Sequence, residues 1–142
     1  MPVVRPCGVV LRGQELLVLR YRYGEHDRFN LPGGNLEGDE TLHDCLVREF
    51  REELNLTVTP GELLHVAETR TERSTVHLVF RVEHEGEPSL NPEQVRASAL
   101  VWLPARDWAA APLYPAIGTA LSDWFARRPA PVYLGRIPQS WY

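Results

Sequence analysis

Residues 31–56 constrain the fold of this chain more than any other segment, because a glycine-rich turn there leads directly into an amphipathic helix. Glu52 and Glu53 follow Glu49 by three and four positions and therefore share a helix face with it. Like charges at this spacing destabilise a helix by about 0.2–0.5 kcal/mol per pair, and the negative end of the helix dipole adds to the cost. Folding alone gives no reason for this cluster. A bound hard cation such as Mg²⁺, which takes carboxylate oxygens, would explain it.

The ends of this helix are marked in the sequence. Thr41 is the expected N-cap, and Asp44 three residues later completes a Thr-x-x-Asp capping pattern. Asn55 occupies the position where a left-handed residue ends a helix, and asparagine is second only to glycine there. The predicted apolar side of the helix consists of Leu42, Cys45, Leu46 and Phe50.

The rest of the chain predicts a strand-rich domain with a second helix. Residues 3–11 and 16–23 are β-branched or leucine-rich runs, and we expect a hairpin between them through residues 12–15. Trp124 and Phe125 are expected in the core rather than in a binding platform, because large aromatic side chains are mostly buried. The other predicted elements are strands at residues 63–69, 76–82 and 99–103 and a helix at residues 116–127.

Composition indicates one globular domain over residues 1–142, with 44% hydrophobic and 24% charged residues. The net charge of −4 argues against a nucleic-acid polymer as partner, since such proteins usually present a basic patch. The first residues lack a signal-peptide layout and no apolar run is of membrane-spanning length, so we expect a cytoplasmic protein without membrane attachment. Cys7 and Cys45 are expected to be buried apolar residues rather than disulfide partners or zinc ligands.

The charged residues of the helix stand in a fixed register with the turn. Five residues separate Gly34 from Glu40, and seven more separate Glu40 from Arg48, which begins the run REFREELNL. This pattern resembles the Nudix box, G-x5-E-x7-R-E-U-x-E-E-x-G-U, in which U is a bulky aliphatic residue. Every charged position matches, whereas Asn55 replaces the glycine and Phe50 replaces an aliphatic residue. Because so many positions agree in type and spacing, the chain is identified as a member of the MutT-like Nudix hydrolases.

The resemblance, which covers residues 34–56, implies the family's fold and metal site. The implied fold is α/β, an α/β/α sandwich with a central mixed β-sheet. The backbone carbonyl of Gly33 is expected to bind one or more Mg²⁺ or Mn²⁺ ions together with the acidic cluster. Arg48 would hold the glutamates in place through hydrogen bonds. The predicted metal-binding carboxylates are those of Glu49, Glu52 and Glu53.

The reaction implied by the resemblance is hydrolysis of a nucleoside diphosphate linked to a further group. In such a reaction a metal-activated water attacks phosphorus, and a carboxylate must accept the proton of that water. Glu52 or Glu53 is the first candidate for this general base, and Glu93 in a later loop, which could also ligate metal, is the second. Glu40 is expected to anchor the turn near the helix N-terminus. Further alternatives for the base are Glu83, Glu85 and Glu87.

The substrate is the least determined part of the prediction. The positions that mark the ADP-ribose and dinucleoside polyphosphate subfamilies hold TERS, at residues 71–74, instead of the expected proline and tyrosine. By elimination, a nucleoside triphosphate cleaved to a nucleoside monophosphate and pyrophosphate is favoured. ADP-ribose or a sugar nucleotide stays open, and so does a nucleotide-sensing module without turnover. The expected partner is a small nucleotide, and a homodimer is considered because many relatives dimerise.

Several other side chains have alternative interpretations. His77, on a predicted strand, either lines a substrate cleft or is a satisfied histidine at the sheet surface, and the second interpretation is favoured. His43 is expected to be exposed, and Phe29 either stacks on a base or covers the glycine-rich turn. Residues 132–142, which include Trp141, are expected to serve packing or subunit contact.

Overall fold

The fold consists of two mixed β-sheets and two α-helices within residues 1–140, the part of the chain that this computed structural model describes. The helices are α1 (Leu42–Leu54) and α2 (Gly118–Phe125). The strands are β1 (Val3–Val9), β2 (Leu11–Arg12), β3 (Glu15–Tyr23), β4 (His26–Asn30), β5 (Thr57–Arg70), β6 (Ser74–Glu85), β7 (Ala99–Pro104), β8 (Leu113–Tyr114) and β9 (Tyr133–Arg136).

The two sheets differ in strand order and direction. The first sheet has the order β1-β6-β5-β9, in which β1 is parallel to β6, β5 is antiparallel to β6 and β9 is parallel to β5. The second has the order β2-β3-β4-β8, and β7 also pairs with β3. Strand β3 is antiparallel to its neighbours, whereas β8 is parallel to β4. The expected α/β fold with mixed strand pairing is confirmed, with the strands divided between two sheets.

The predicted hairpin of residues 3–11 and 16–23 is wrong in its first strand. Strand β1 pairs in parallel with β6 of the other sheet over its whole length. Only the two-residue strand β2 pairs with β3, across a turn in which Gly13 has a φ of +60°. The reason is burial, because the last five residues of β1 are all buried and burial on both faces is typical of parallel strands.

Helix α1 begins and ends where the sequence predicts. The hydroxyl of Thr41 accepts a hydrogen bond from the Asp44 N–H at 3.1 Å. Asn55 follows the last turn in the left-handed conformation, with a φ of 51°, and its N–H donates back to the helix. Gly8 of β1 makes room for the helix, since a Cβ there would lie 2.7 Å from the ring of Phe50. The helix therefore packs closely against the first sheet.

Two apolar clusters form the core, one beside each helix. The cluster beside α2 joins Leu121 to Trp108, whose ring N–H donates to the carbonyl of Leu103 at 2.8 Å. Trp124 and Phe125 pack against this cluster, so their predicted core position is confirmed. The cluster beside α1 includes Leu46, Phe50 and Leu54 of the helix, Leu17 and Leu19 of β3, and Phe80 and Val82 of β6.

The two cysteines are buried and unpaired with each other, as expected from the sequence. Burial raises the pKa of Cys7 to about 11 and that of Cys45 to about 12. Both side chains are therefore neutral thiols that fill space like other small apolar groups.

Several elements differ in length from their predictions. Helix α2 is shorter than residues 116–127, because the Ala116 N–H bonds to the side chain of Gln139 and the Ile117 N–H bonds to Pro115 in the preceding turn. Strands β5 and β6 are longer than predicted, since they pair with each other along nearly their full length. No helix within residues 1–140 is long and apolar enough to cross a membrane.

Candidate functional site

The turn before α1 lies beside β1 as an antiparallel segment, with Gly33 bridged to that strand. Gly8 donates to the carbonyl of Pro32 at 2.9 Å, and Gly34 donates to the carbonyl of Pro6 at 3.3 Å. In this pairing Pro32 and Gly34, on either side of Gly33, make the hydrogen bonds to β1. The N–H and C=O of Gly33 therefore point away from β1. A Cβ at Gly33 would collide with the backbone of β1, which explains the glycine. The carbonyl of Gly33 is thus available to a ligand on the other side of the turn.

Gly34 lies directly against the carboxylate of Glu49. A Cβ at this position would collide with the carboxylate carbon and with both of its oxygens. The thiol of Cys45 adds a second contact between helix and turn, since it donates weakly to the carbonyls of Gly34 and Asn35 at 3.7 Å each. Glycine therefore allows the turn to approach the acidic helix closely enough for backbone and carboxylate oxygens to lie side by side.

Arg48 links the turn to the acidic helix through one guanidinium group. It makes a bidentate pair with Glu40, at 2.7 Å from Nη2 and 3.0 Å from Nε. Its Nη1 atom donates to Glu49 at 2.9 Å and to Glu52 at 3.3 Å. Such charge-assisted bonds are shorter and stronger than neutral ones. The structure therefore brings Arg48 into contact with the residues that it is predicted to hold.

The electrostatic effect of Arg48 is largest at Glu40. Hydrogen bonds from the guanidinium and from the backbone N–H of Glu37, which donates to the same carboxylate at 3.0 Å, together lower the pKa of Glu40 to about 2 against the opposing effect of burial. In return, the carboxylate of Glu40 raises the pKa of Arg48. Glu40 is therefore ionised at neutral pH, and it ties the turn to the helix as expected for an anchor.

The surroundings of Glu53 raise its pKa, whereas those of Glu40 lower it. Burial, and then the neighbouring carboxylate of Glu49, raise the pKa of Glu53 to about 9, while the charge of Arg5 acts against this rise. With a pKa of about 9, Glu53 holds its proton at neutral pH. A cation held in the cleft would favour the ionised form of Glu53.

The acidic residues open onto one cleft of about 530 Å³. Tyr21 of β3 and residues 94–96 also line this cleft. Glu93 does not, because its side chain is exposed and its N–H donates to Asn91 at 3.2 Å. The predicted site residues that share the cleft are Gly33, Arg48, Glu49, Glu52 and Glu53.

The loop that carries Glu93 is attached to the end of α1. The side chain of Asn91 donates to the carbonyl of Glu52 at 3.0 Å, and the Asn91 N–H donates to the carbonyl of Glu53 at 2.8 Å. Asn55 adds bonds of 3.2 Å from its side-chain amide to the carbonyl and hydroxyl of Ser89. These contacts satisfy helix carbonyls and hold residues 94–96 at the cleft.

The oxygen donors of the cleft suit a hard cation, since carboxylates and backbone carbonyls are the ligands that Mg²⁺ takes from proteins. Among residues 1–140, no three acidic, histidine or cysteine side chains already converge at metal-ligand spacing. Arg48 explains this arrangement, because a single nitrogen atom of its guanidinium holds one oxygen of Glu49 and one of Glu52. The residues fit the cation in chemistry, and a bound cation would share the oxygens of these carboxylates with Arg48.

Arg5 is a buried charged residue that the sequence analysis did not identify. It is 8% exposed, and its Nη2 atom donates to the carbonyl of Leu31 at 2.8 Å. Its guanidinium lies 5.0 Å from the ring centroid of Tyr114, and that of Arg28, which is also buried, lies 4.6 Å from the same centroid. Within residues 1–140 the Nη1 atom of Arg5 has no hydrogen-bond acceptor. The available sequence signal was an arginine inside the apolar run VVRPCGVV.

His77 is fully buried, with Tyr114 of the other sheet against its ring, rather than exposed at a sheet surface, which corrects the favoured interpretation in part. Its Nε2 atom is hydrogen bonded to the hydroxyl of Thr69 at 2.8 Å, and its ring meets that of Tyr114 edge to face at 5.1 Å. Burial, and then the charge of Arg5, lower the pKa of His77 to about 3. The ring is therefore neutral, and it does not line the acidic cleft.

The remaining candidate side chains lie outside the cleft. His43 is exposed, as predicted, and Phe29 is half-buried against the core beside α2 rather than open to a base. Of the C-terminal segment, β9 pairs with β5, whereas Trp141 and Tyr142 lie outside the described residues. The three alternative candidates for the base, Glu83, Glu85 and Glu87, are exposed outside the cleft, and two of them form exposed ion pairs, Glu83 with Arg81 at 3.6 Å and Glu87 with Arg12 at 3.7 Å.

Similarity to known proteins extends beyond the acidic helix to most of the chain. A sequence model of the NUDIX domain family matches residues 1–124. The chain belongs to the Nudix hydrolase family. The MutT-like protein of Streptomyces ambofaciens is 35% identical to this Nudix chain over 100 residues, which are 70% of the chain and span 62% of the length of that protein.

Matches in Escherichia coli, one in sequence and one in structure, extend the similarity over nearly the whole Nudix chain. The CTP pyrophosphohydrolase of strain K12 is 27% identical over 133 residues, which cover 92% of this chain and 97% of that protein. The solution structure of the E. coli ORF135 protein superposes with a TM-score of 0.76 at 25% identity, covering 91% of this chain and 94% of that one. The described residues therefore share the fold of the ORF135 protein.

Proposed function

We propose that this chain is a pyrophosphohydrolase that depends on Mg²⁺ or Mn²⁺. The observation that carries the proposal is the shared cleft, which gathers Glu49, Glu52 and Glu53 beside Gly33, whose carbonyl points away from β1. Carboxylates crowded in this way repel one another, and a divalent cation removes that repulsion. We further propose that residues 1–142 form one Nudix domain.

The metal ion, the glutamates and Arg48 have different roles in the proposed reaction. Glu49, Glu52, Glu53 and the carbonyl of Gly33 would hold Mg²⁺ or Mn²⁺, which would supply positive charge for the phosphate oxygens and lower the pKa of a bound water. Glu52 or Glu53 accepts the proton that the attacking water loses as its oxygen bonds to phosphorus and the bridging P–O bond breaks. Glu93 is the second candidate for this role, because its loop adjoins the cleft-lining residues 94–96. Arg48 keeps the carboxylates in place and is not itself a proton acceptor.

The proposed substrate is a nucleoside triphosphate, cleaved to a nucleoside monophosphate and pyrophosphate. Similarity to a CTP pyrophosphohydrolase over almost the full length of both chains supports this choice. The substrate is thus a small nucleotide rather than a nucleic-acid polymer, and we place the enzyme in the cytoplasm, away from membranes. A homodimer is the assembly that solution measurements should test first.

The proposal is tested by assaying hydrolysis of a nucleotide panel with and without Mg²⁺. The panel contains canonical and oxidised nucleoside triphosphates, ADP-ribose, sugar nucleotides and dinucleoside polyphosphates. We expect metal-dependent turnover of a triphosphate, and we expect Glu52→Gln or Glu53→Gln to lower kcat by about 100-fold or more. Glu83→Gln, which removes an exposed carboxylate outside the cleft, is the matched control and should keep full activity. Reaction in ¹⁸O-labelled water identifies the phosphorus that is attacked.

Two outcomes of this panel would change the proposal. Full activity of both glutamine variants would show that the cleft carboxylates do not carry the reaction. Binding of nucleotides without turnover of any of them would instead identify a nucleotide-sensing module. The intact acidic cluster speaks against such a module, because binding alone does not require three carboxylates in one cleft. Preferential turnover of ADP-ribose or a sugar nucleotide would change the proposed substrate class but not the proposed site residues.

A further inference from the structure

We propose that Arg5, which lies outside the Nudix box, is a positioning residue that holds the turn containing Gly33 and Gly34 in place beside the acidic cluster. The inference rests on the proposed function, in which the carbonyl of Gly33 binds metal. Its first basis is the hydrogen bond of 2.8 Å from the Arg5 guanidinium to the carbonyl of Leu31. Leu31 is two residues before Gly33, so this bond fixes the point where the chain enters the turn.

The position of Arg5 on β1 supports the same role. The residue before it, Val4, accepts a backbone hydrogen bond from Leu36 at 2.9 Å, and the residue after it, Pro6, accepts one from Gly34 at 3.3 Å. The backbone of β1 thus holds the far part of the turn, and the Gly8 N–H holds Pro32 in its near part at 2.9 Å. The Arg5 side chain adds the bond to Leu31, one residue earlier, so that the strand holds the turn at both ends.

The energetics of burial make a purely structural role a poor explanation. Within residues 1–140 no carboxylate lies within ion-pair distance of Arg5, although the side chain is 8% exposed. Cys7 and Val9, on the same face of the strand, belong to the apolar core, and an apolar side chain at position 5 would avoid the desolvation of a charge. Stacking on Tyr114 compensates only part of that cost. We therefore attribute the burial of the Arg5 charge to its hydrogen bond with the carbonyl of Leu31, which positions the turn.

The test compares Arg5→Met with Arg12→Met. Arg12 is a matched control, because it also stacks on an aromatic ring, that of Trp102 at 4.0 Å, but it does not line the cleft. Amide hydrogen exchange is measured on both metal-free proteins. We expect exchange at Gly34 and Leu36 to be about tenfold faster in Arg5→Met, the effect of losing one net hydrogen bond, and unchanged in Arg12→Met. The global unfolding free energy is measured in parallel, so that local opening is separated from general destabilisation.

Steady-state kinetics supply the second measurement. We expect Arg5→Met to lower kcat by about tenfold or more with little change in KM, because a displaced carbonyl affects the metal site more than nucleotide binding. Arg5→Lys, which keeps a donor and the charge, should recover much of the lost kcat. If Arg5→Met does not fold, Arg5→Gln carries the same test, since its polar side chain is too short to reach the carbonyl of Leu31.

The two measurements separate failure of this inference from failure of the proposed function. Wild-type exchange rates at Gly34 and Leu36 in the Arg5 variant would overturn the inference, whatever the activity. Faster exchange with unchanged kcat would also overturn it, because the turn would then move without consequence for the site. If the wild-type protein hydrolyses no nucleotide, the proposed function fails, and the exchange rates of the metal-free protein still decide whether Arg5 positions the turn.

Discussion

One guanidinium group joins the turn before α1 to the acidic face of that helix. Arg48 reaches Glu40 with two nitrogens and reaches Glu49 and Glu52 with a third. The planar fork of arginine suits this task, because its donors point in fixed and different directions, whereas lysine presents one compact charge. Arg48 therefore sets the positions of the carboxylates before any cation binds.

Replacing Arg48 with lysine should keep the charge but lose the geometry. We expect Arg48→Lys to lower kcat and Mn²⁺ affinity by about 10- to 100-fold, the usual effect of removing a residue that orients metal ligands. Arg51→Lys is the control, because Arg51 is exposed on the same helix and does not line the cleft. Titration with Mn²⁺ followed by electron paramagnetic resonance measures the affinity. Equal affinities of the two variants would contradict the role assigned to Arg48.

The acidic residues and Arg5 show why some site residues can be read from the sequence and others cannot. Glu49, Glu52 and Glu53 are near neighbours on one helix, so their shared face follows from helical geometry. Arg5 acts on the carbonyl of Leu31, 26 residues away. Every residue has a carbonyl, so a partner of this kind leaves no mark in the sequence.

At the scale of elements, the C-terminal end of α1 has two functions. Asn55 ends the helix with a left-handed residue, and its side-chain amide also donates to the carbonyl and hydroxyl of Ser89 at 3.2 Å. The loop beyond Ser89 is held further by Asn91, whose side chain donates to the carbonyl of Glu52. Asn55, which replaces the usual glycine of the Nudix box, thus connects the acidic helix to the loop beside the cleft.

Substitutions at Asn55 separate these two functions. We expect Asn55→Ala to lower the free energy of unfolding by about 1–2 kcal/mol, because alanine is strained in the left-handed conformation and cannot bond to Ser89. Asn55→Gly removes the same side-chain bonds but accepts the conformation, so it should cost less. Urea denaturation of the two variants and the wild type measures the difference. Alanine and glycine variants of equal stability would show that the backbone conformation does not limit the choice of residue.

Elements whose signals are local were predicted well, and those that depend on distant partners were not. The caps of α1 are short-range patterns, and they mark its ends correctly at Thr41 and Asn55. Strand β1 pairs with β6, about seventy residues further along the chain, and no local pattern distinguishes that pairing from a hairpin with β3. The division of the strands into two sheets follows from such long-range pairing.

The space between the two sheets contains buried polar groups as well as apolar ones. His77 is completely buried, and burial lowers its pKa to about 3, against an ordinary value of 6.5. The folded protein therefore holds this ring neutral, while the unfolded chain protonates it below pH 6.5. Proton binding by the unfolded chain reduces stability as the pH falls from about 6.5 toward about 3.

The contribution of His77 to acid sensitivity can be isolated by substitution. We expect the free energy of unfolding of the wild type to fall, relative to His77→Gln, by up to about 1.4 kcal/mol per pH unit below pH 6.5. The difference between the two proteins is the relevant quantity, because the raised pKa of Glu53 stabilises the fold in the opposite direction over part of this range. Parallel pH dependences of the two proteins would show that His77 is not neutralised by burial.

Direct Mn²⁺ titration tests, without a substrate, whether the three glutamates of α1 bind a divalent cation. The measurement compares the wild type with two triple variants in which glutamine replaces glutamate. We expect substitution of the α1 cluster to weaken Mn²⁺ binding by about tenfold or more, and substitution of the exposed set to leave it unchanged. Equal Mn²⁺ binding by the wild type and by the α1 variant would contradict the account. The α1 variant changes Glu49, Glu52 and Glu53, and the control changes Glu83, Glu85 and Glu87.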